Sequence, residues 1–341
     1  MSTPGSSVAE RIVAGDVRAA ARLMRNLDDG LPSARAVLRQ LFARGGHAYV
    51  VGLTGPPGAG KSSLTDRIIA HHRRAGRTVG VVAVDPTSPF TGGAILGDRV
   101  RMQDHALDPG VFIRSLATRG HLGGLSRATA EVVQVMDAMG KDVIVVETVG
   151  VGQDEVEVAE LAHTVVVVSI PGMGDDVQAI KAGVLEIADV FAVNKADREG
   201  SDRTVKDLQL MLELRRSTAT RGGLDHDALH RMQRTTAEDP HDPGWWDPPI
   251  VKTVATQDLG VADLLQAVER HREHLVRTGE RARREVARAR AAFLTLLRER
   301  LMQRALARLT EEEGHLDGLA ARIAAREADP WELAEELASR L

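Results

Sequence analysis

Gly55-Pro-Pro-Gly-Ala-Gly-Lys61-Ser62 sets a lysine and a hydroxyl directly behind a glycine-rich turn, in the pattern G-x-x-x-x-G-K-[ST]. That spacing serves phosphate binding. Glycines let successive backbone N–H groups converge on phosphate oxygens, and a following helix N-terminus adds its positive dipole end. Lys61 is long enough to reach the β- and γ-phosphates of a nucleotide, and the Ser62 hydroxyl suits a Mg²⁺ ligand. Pro57, Gly58, Ala59, Gly60 and Ser63 complete the nucleotide-facing loop. Three acids add metal chemistry. Asp85, Asp98 and Glu147 stand at strand ends or in nearby loops, and their hard oxygens suit an octahedral Mg²⁺ that keeps several waters.

A second constellation chooses the base. In Asn194-Lys-Ala-Asp197 the Asp carboxylate can accept from N1–H and the exocyclic amino group of guanine; adenine offers neither donor in that geometry. An acceptor left unpaired in a closed site costs roughly 1–3 kcal/mol, enough for about tenfold discrimination or more. Asn194 would help hold the base edge and its loop, and the Lys195 stem would stack along the ring. Val254-Ala255-Thr256 looks like the loop whose backbone amide reads guanine O6. GTP or GDP with Mg²⁺ is the expected ligand.

These residues need rigid carriers, and the chain supplies them by alternation. Apolar runs at 49–53, 78–84, 111–116, 143–147, 165–170, 190–193 and 250–254 read as strands, with helical segments between them. Most are continuous rather than alternating, as in strands buried on both faces of a parallel sheet. The expectation is an α/β, doubly wound, mostly parallel sheet with ligands at the carboxyl ends of its strands. The first run leads into the glycine loop, and a helix follows from Ser62 through His72; His71-His72 ends that helix, where a cation meets the C-terminal dipole.

Flanking the sheet are helical extensions. Residues 1–44 read as a helical extension with segments at 13–27 and 34–42, residues 45–260 as the nucleotide domain, and 261–341 as a helical region, with dimerisation one reading of it. The last part holds an Arg-rich stretch from Arg270 to Arg308 with Phe293, Leu297, Leu301 and Leu309 at intervals of four or eight. A solvated helix face, an arm for self-association and a nucleic-acid surface all remain open for it.

Composition narrows the class. A 43% apolar content supports a substantial core, and a net charge of −4 argues against a dedicated nucleic-acid binder. The absence of cysteine excludes disulfides, zinc-thiolate sites and a cysteine nucleophile. No basic segment followed by an apolar one opens the chain, and the apolar run 164–170 is too short to span a bilayer. A soluble, cytoplasmic protein without a membrane partner is expected. Only six of the 44 basic residues are lysine; Lys61 and Lys195 fall inside nucleotide motifs, whereas Lys141 and Lys206 read as exposed remnants. Trp245 and Trp246 are expected to pack their loop against the core.

Taken together, Gly55–Ser62, Asp85-Pro-Thr-Ser-Pro, Thr91-Gly-Gly-Ala-Ile-Leu-Gly-Asp98, Glu147-Thr-Val-Gly-Val-Gly-Gln153 and Asn194–Asp197 resemble the MeaB-type G proteins. These are P-loop GTPases of the SIMIBI class that act as chaperones of adenosylcobalamin-dependent acyl-CoA mutases such as methylmalonyl-CoA mutase. The resemblance covers about residues 10 to 280. It implies Lys61 and Ser62 on phosphate and Mg²⁺, with Asp85, Asp98 and Glu147 around the metal and its waters. It also implies a mobile loop at 169–181, in which Lys181 either neutralises charge on the γ-phosphate or is a plain surface lysine. Gly150 would sit in a loop ordered by that phosphate, and Gln153 is a further candidate for positioning water. A homodimer, a mutase partner and slow GTP hydrolysis follow from the same resemblance. A nickel-insertion GTPase is disfavoured by the lack of a Cys/His set, and a P-loop kinase or transport-linked ATPase by Asn194–Asp197.

Overall fold

The computed structural model describes residues 6–85, 102–105, 107–117, 124–148, 154–172, 186–220, 245–311 and 315–339. Seven strands form one wholly parallel sheet: β1 (Tyr49–Thr54), β2 (Val79–Asp85), β3 (Val111–Ala117), β4 (Val143–Glu147), β5 (Thr164–Ser169), β6 (Val190–Val193) and β7 (Ile250–Lys252). Their order is β3-β2-β4-β1-β5-β6-β7, so β1 lies in the middle with β4 and β5 beside it. All seven are legible in the apolar runs, because strands covered on both faces need an apolar side chain at almost every position.

Side-chain parity splits the core into two layers. Val50, Val165, Val167 and Phe191 face one layer, and Val51, Val166, Val168 and Val190 face the other. The second layer is covered by α4 (Lys61–Arg74), which supplies Leu64, Ile68 and Ile69, and by the later helix α8 (Val261–Arg277). The first is covered by α5 (Gly124–Ala138), α6 (Asp154–Leu161) and α7 (Ser201–Thr220).

Three N-terminal helices, α1 (Val8–Val13), α2 (Val17–Asp28) and α3 (Pro32–Phe42), pack chiefly against one another and against α5. They bury Ile12, Leu23, Met24, Leu27 and Leu41. Two helices were expected here. The segment expected at 13–27 forms as α2, beginning only at Val17 where Asp16 caps it, and α1 is an additional helix ahead of it, started by the Ser7–Glu10 capping box. Asp137 of α5 accepts the backbone amides of Gly46, His47 and Ala48, which ties the entry of β1 to that helix.

At the amino edge of the sheet lies a buried polar chain that no motif announces. The Tyr49 hydroxyl meets Thr164 Oγ1 at 2.5 Å, and Thr164 Oγ1 meets His271 Nδ1 at 2.8 Å. Asp189 accepts from Val165 N at 2.9 Å and pairs with Arg284 at 3.3 Å, both side chains being buried. Burial pushes the Tyr49 hydroxyl up to about 12. Trp246 does pack its loop on the core, donating its Nε1–H to the Asp189 carbonyl at 2.8 Å and lying against His271.

The chain divides into two compact units, residues 1–285 and 286–341. The first thus includes α8 and the opening of the long helix α9 (Glu280–Glu311). The second comprises the rest of α9 with α10 (His315–Ala324) and α11 (Pro330–Ser339), and along α9 it exposes Val286, Phe293, Leu297 and Leu301. No helix of the described residues is long and apolar enough to cross a membrane.

Candidate nucleotide site

The site begins where β1 runs out. Gly55 turns the chain at φ 139°, and a Cβ there would strike the Val168 carbonyl of β5. Gly60 is left-handed at φ 87° and caps α4, and a Cβ on it would collide with the Asn194 amide. The glycines are therefore required both by dihedral and by the closeness of two neighbouring strands. Lys61 and Ser62 open α4 and are both buried. The Lys61 ammonium donates to the carbonyls of Gly55 at 2.7 Å and Pro56 at 3.0 Å, so it lies folded over its own loop.

Register brings Glu147 to this point. It closes β4 opposite Leu53 of β1 and Ala83 of β2, and is only 3% exposed. One carboxylate oxygen accepts from Ser62 Oγ at 2.6 Å, and the other from Thr65 Oγ1 at 2.8 Å. Thr65 was not singled out by motif. Its signal is its spacing, three residues beyond Ser62 and thus on the same face of α4. Beside them Thr148 Oγ1 donates to Thr54 Oγ1 at 3.0 Å. Asp85 closes β2 at the same sheet edge. Asp98, Gly150, Gln153 and Lys181 lie outside the described residues.

The other end of the loop is held from β6. Asn194 is 2% exposed, donates Nδ2 to Ala59 O at 2.8 Å, and accepts on Oδ1 from Ala255 N at 3.1 Å and Thr253 Oγ1 at 3.2 Å. Its amide is a tie between the phosphate loop and the loop after β7. Lys195 adopts φ 54°, and its ammonium donates to Gly58 O at 2.7 Å, laying its stem over the loop. Asp197 is exposed next to it. Of the amides at 254–256, that of Val254 bonds to Leu259 O at 2.9 Å and that of Ala255 to Asn194. Ala255 is buried against α4 and Thr256 is exposed.

The far end of α4 also grips this loop. His71 Nε2 lies 2.9 Å from Asp258 Oδ1, and Arg74 donates to Asp258 Oδ2 at 3.1 Å. Partial burial pushes the Asp258 carboxyl up, but these two partners outweigh it and hold it below its ordinary value. The next residue departs from expectation. Burial, with Arg77 and His71 adding repulsion, lowers His72 to about 4, so it is a neutral ring rather than a cation at the helix end. Lys141 is another correction: it is buried, not an exposed remnant, and donates to Gly110 O at 3.1 Å.

One sheet edge thus carries a buried ammonium, a hydroxyl–carboxylate pair of hard oxygens, and a base-side loop tied to the phosphate loop. Residues 20–310 match the family model described as methylmalonyl Co-A mutase-associated GTPase MeaB. A putative GTPase of Pyrococcus abyssi is 45% identical over 326 residues, covering 96% of this chain and 93% of its own. A probable GTPase of Mycobacterium tuberculosis is 40% identical over 278 residues, covering 80% of this chain and 76% of its own. In fold the chain is similar to the crystal structure of a LAO/AO transport system kinase, with a TM-score of 0.63 at 23% identity over 97% of this chain and 95% of the other. That likeness concerns architecture, and the activity in that protein's name does not travel with it. By the span of the family match and the identity to these GTPases, the chain belongs to the MeaB family of methylmalonyl-CoA mutase-associated GTPases.

Proposed function

We propose that this carboxyl edge binds GTP with Mg²⁺, hydrolyses it slowly, and reports its state to an adenosylcobalamin-dependent acyl-CoA mutase. The observation carrying the reading is that the Ser62–Glu147 pair and the Asn194 tie stand at the two ends of one phosphate loop. The buried Ser62 hydroxyl and Glu147 carboxylate, hydrogen-bonded to each other, are hard oxygens of the kind Mg²⁺ takes, which supports them as its holders; Asp85 and Asp98 would join them on the family pattern. When bound, Mg²⁺ would offset the negative charge that develops on the phosphate oxygens.

The chain's own groups do the rest. Lys61 exchanges its loop carbonyls for phosphate oxygens, and the backbone N–H groups of Gly58–Ser63 surround them. Glu147 orients the Ser62 hydroxyl. Asp197 accepts from the guanine edge, Lys195 covers the ring, and the 254–256 loop closes on it. The residues around Asp98, Gly150 and Lys181 respond to the γ-phosphate, with Lys181 neutralising its charge. Hydrolysis withdraws that signal, and the mutase loads or retains its cofactor accordingly. A mutase client agrees with the family description and with a mouse relative named methylmalonic aciduria type A homolog, 30% identical over 255 residues covering 75% of this chain and 56% of its own. The exposed apolar residues of α9 support a homodimer formed through the C-terminal region.

The test is phosphate release from GTP and ATP by the purified protein, alone and with candidate mutases. Preference for GTP and a rate raised by one mutase are expected; preference for ATP, or phosphate appearing on a small molecule, would overturn the reading. Sedimentation of the wild type and of Phe293→Glu checks the dimer, which the variant is expected to weaken.

A further inference from the structure

The contact between α4 and Asp258 belongs to none of the motifs, yet it joins the two halves of the site a second time. Helix α4 starts in the phosphate loop at Lys61 and Ser62 and ends at His71 and Arg74. Its last turn reaches a tight turn made by residues 254–259. That turn is closed by reciprocal backbone bonds between Val254 and Leu259, of 2.9 and 3.3 Å, and contains the 3₁₀ segment Ala255–Gln257. Asp258 is its corner. It is left-handed at φ 58°, a conformation that Asp and Asn tolerate better than other side chains.

Each end of the segment is held differently. At one end Ala255 is buried against α4 and its amide is taken by Asn194 Oδ1. At the other end Asp258 is held by both His71 and Arg74. Between them Thr256 and Gln257 are exposed, and the Gln257 amide bonds to Val254 O at 2.9 Å within the turn. The place of this turn against the rest of the site is set by the two anchors.

We infer that Asp258, clasped by His71 and Arg74, is a positioning residue that sets affinity for the guanine base without setting affinity for phosphate. The inference rests on the nucleotide site assigned above. The physical reason is separability: releasing Asp258 loosens Thr256 and Gln257 but leaves the bonds of Lys61, Ser62 and Glu147 in place. The clasp is partly solvated, with Arg74 61% and Asp258 32% exposed, so its effect is modest rather than all-or-none.

The experiment compares full-length wild type, Asp258→Ala, Asp258→Asn and Arg74→Ala for binding of GDP, IDP, ADP and inorganic pyrophosphate. IDP lacks the exocyclic amino group, and pyrophosphate engages the phosphate loop alone. For Asp258→Ala we expect GDP affinity to fall about fivefold, pyrophosphate affinity to stay put, and KM for GTP to rise with kcat kept. Asp258→Asn keeps the left-handed tolerance and an acceptor for His71, so it should recover most of the loss. Arg74→Ala, an exposed change the fold tolerates, should show a smaller loss in the same direction even if Asp258→Ala folds poorly. Unchanged GDP affinity in Asp258→Ala and Arg74→Ala, or parallel losses of GDP and pyrophosphate, would overturn the clasp. A wild type that binds ADP as well as GDP would instead sink the guanine-site assignment, and the inference with it.

Discussion

Glu147 shows how much one side chain gains from its neighbours. Its carboxylate is almost wholly buried, yet both oxygens have a hydroxyl partner, in Ser62 and Thr65. Charge-assisted bonds of this kind offset the cost of taking a carboxylate out of water. Glu147→Gln keeps the shape but loses the charge, so the Mg²⁺ needed for half-maximal GTP hydrolysis should rise about 10- to 100-fold, as read from a Mg²⁺ titration. Thr65→Val is nearly isosteric and removes the hydroxyl that donates to one carboxylate oxygen. It should cost about 1–3 kcal/mol in urea unfolding, a loss a purely space-filling Thr65 would not produce. Lys141 illustrates the opposite lesson. Sequence bias marked it as surface residue, but the amino edge of β4 places it under the Gly110 carbonyl.

At the scale of elements, helix α4 is the member that the site is hung on. Its first two turns carry Lys61, Ser62 and Thr65, and its last turn carries the Asp258 contact. The turn feeding it has no slack. Gly55→Ala would combine a φ of 139° with a collision against Val168, and a loss of roughly 2–4 kcal/mol in thermal or urea unfolding is expected. His72 makes the end of α4 sensitive to acid. Its folded pKa of about 4 lies below the 6.5 of the unfolded chain, so between those values the unfolded state takes up the proton. Stability is full above about 6.5 and falls as pH drops towards 4, with a slope of at most about 1.4 kcal/mol per pH unit. Asp108 and Asp142, whose pKa values are lowered from 3.8 by hydrogen bonds, lose their contribution only at lower pH. Urea midpoints at pH 7 and pH 5 should therefore differ, and the difference should shrink in His72→Gln.

For the whole molecule, the sheet has a chemical edge and a structural edge. The carboxyl ends carry the nucleotide residues, and the amino ends carry the buried chain through Tyr49, Thr164, His271, Asp189 and Arg284. Arg284 reaches this edge from the start of α9, so the compact unit of residues 1–285 ends in a buried ion pair. Arg284→Met removes one partner of that pair and should cost about 3–5 kcal/mol in urea unfolding. Asp189→Asn combined with Arg284→Met should cost less than the sum of the two single changes, because the second substitution no longer strands a charge. Additive losses would show that the two side chains act independently.

What the sequence by itself determined is the part of the protein encoded locally. Continuous apolar runs mark strands covered on both faces, and glycine spacing marks the phosphate loop, because those constraints act on neighbouring residues along one stretch of chain. The pairing of Asn194-Lys-Ala-Asp197 with β6 was legible for the same reason. What only the tertiary structure decided is everything that needs two distant segments at hydrogen-bonding range. Asn194 serves as a tie because β6 and β7 bring Ala59 and Ala255 within reach of one amide. Thr65 matters because β4 delivers Glu147 to its face of α4. Asp258 and Arg284 are ordinary charges in the sequence. They acquire partners only when the crossover helices return to the sheet, since burial and pairing are properties of packing and not of composition.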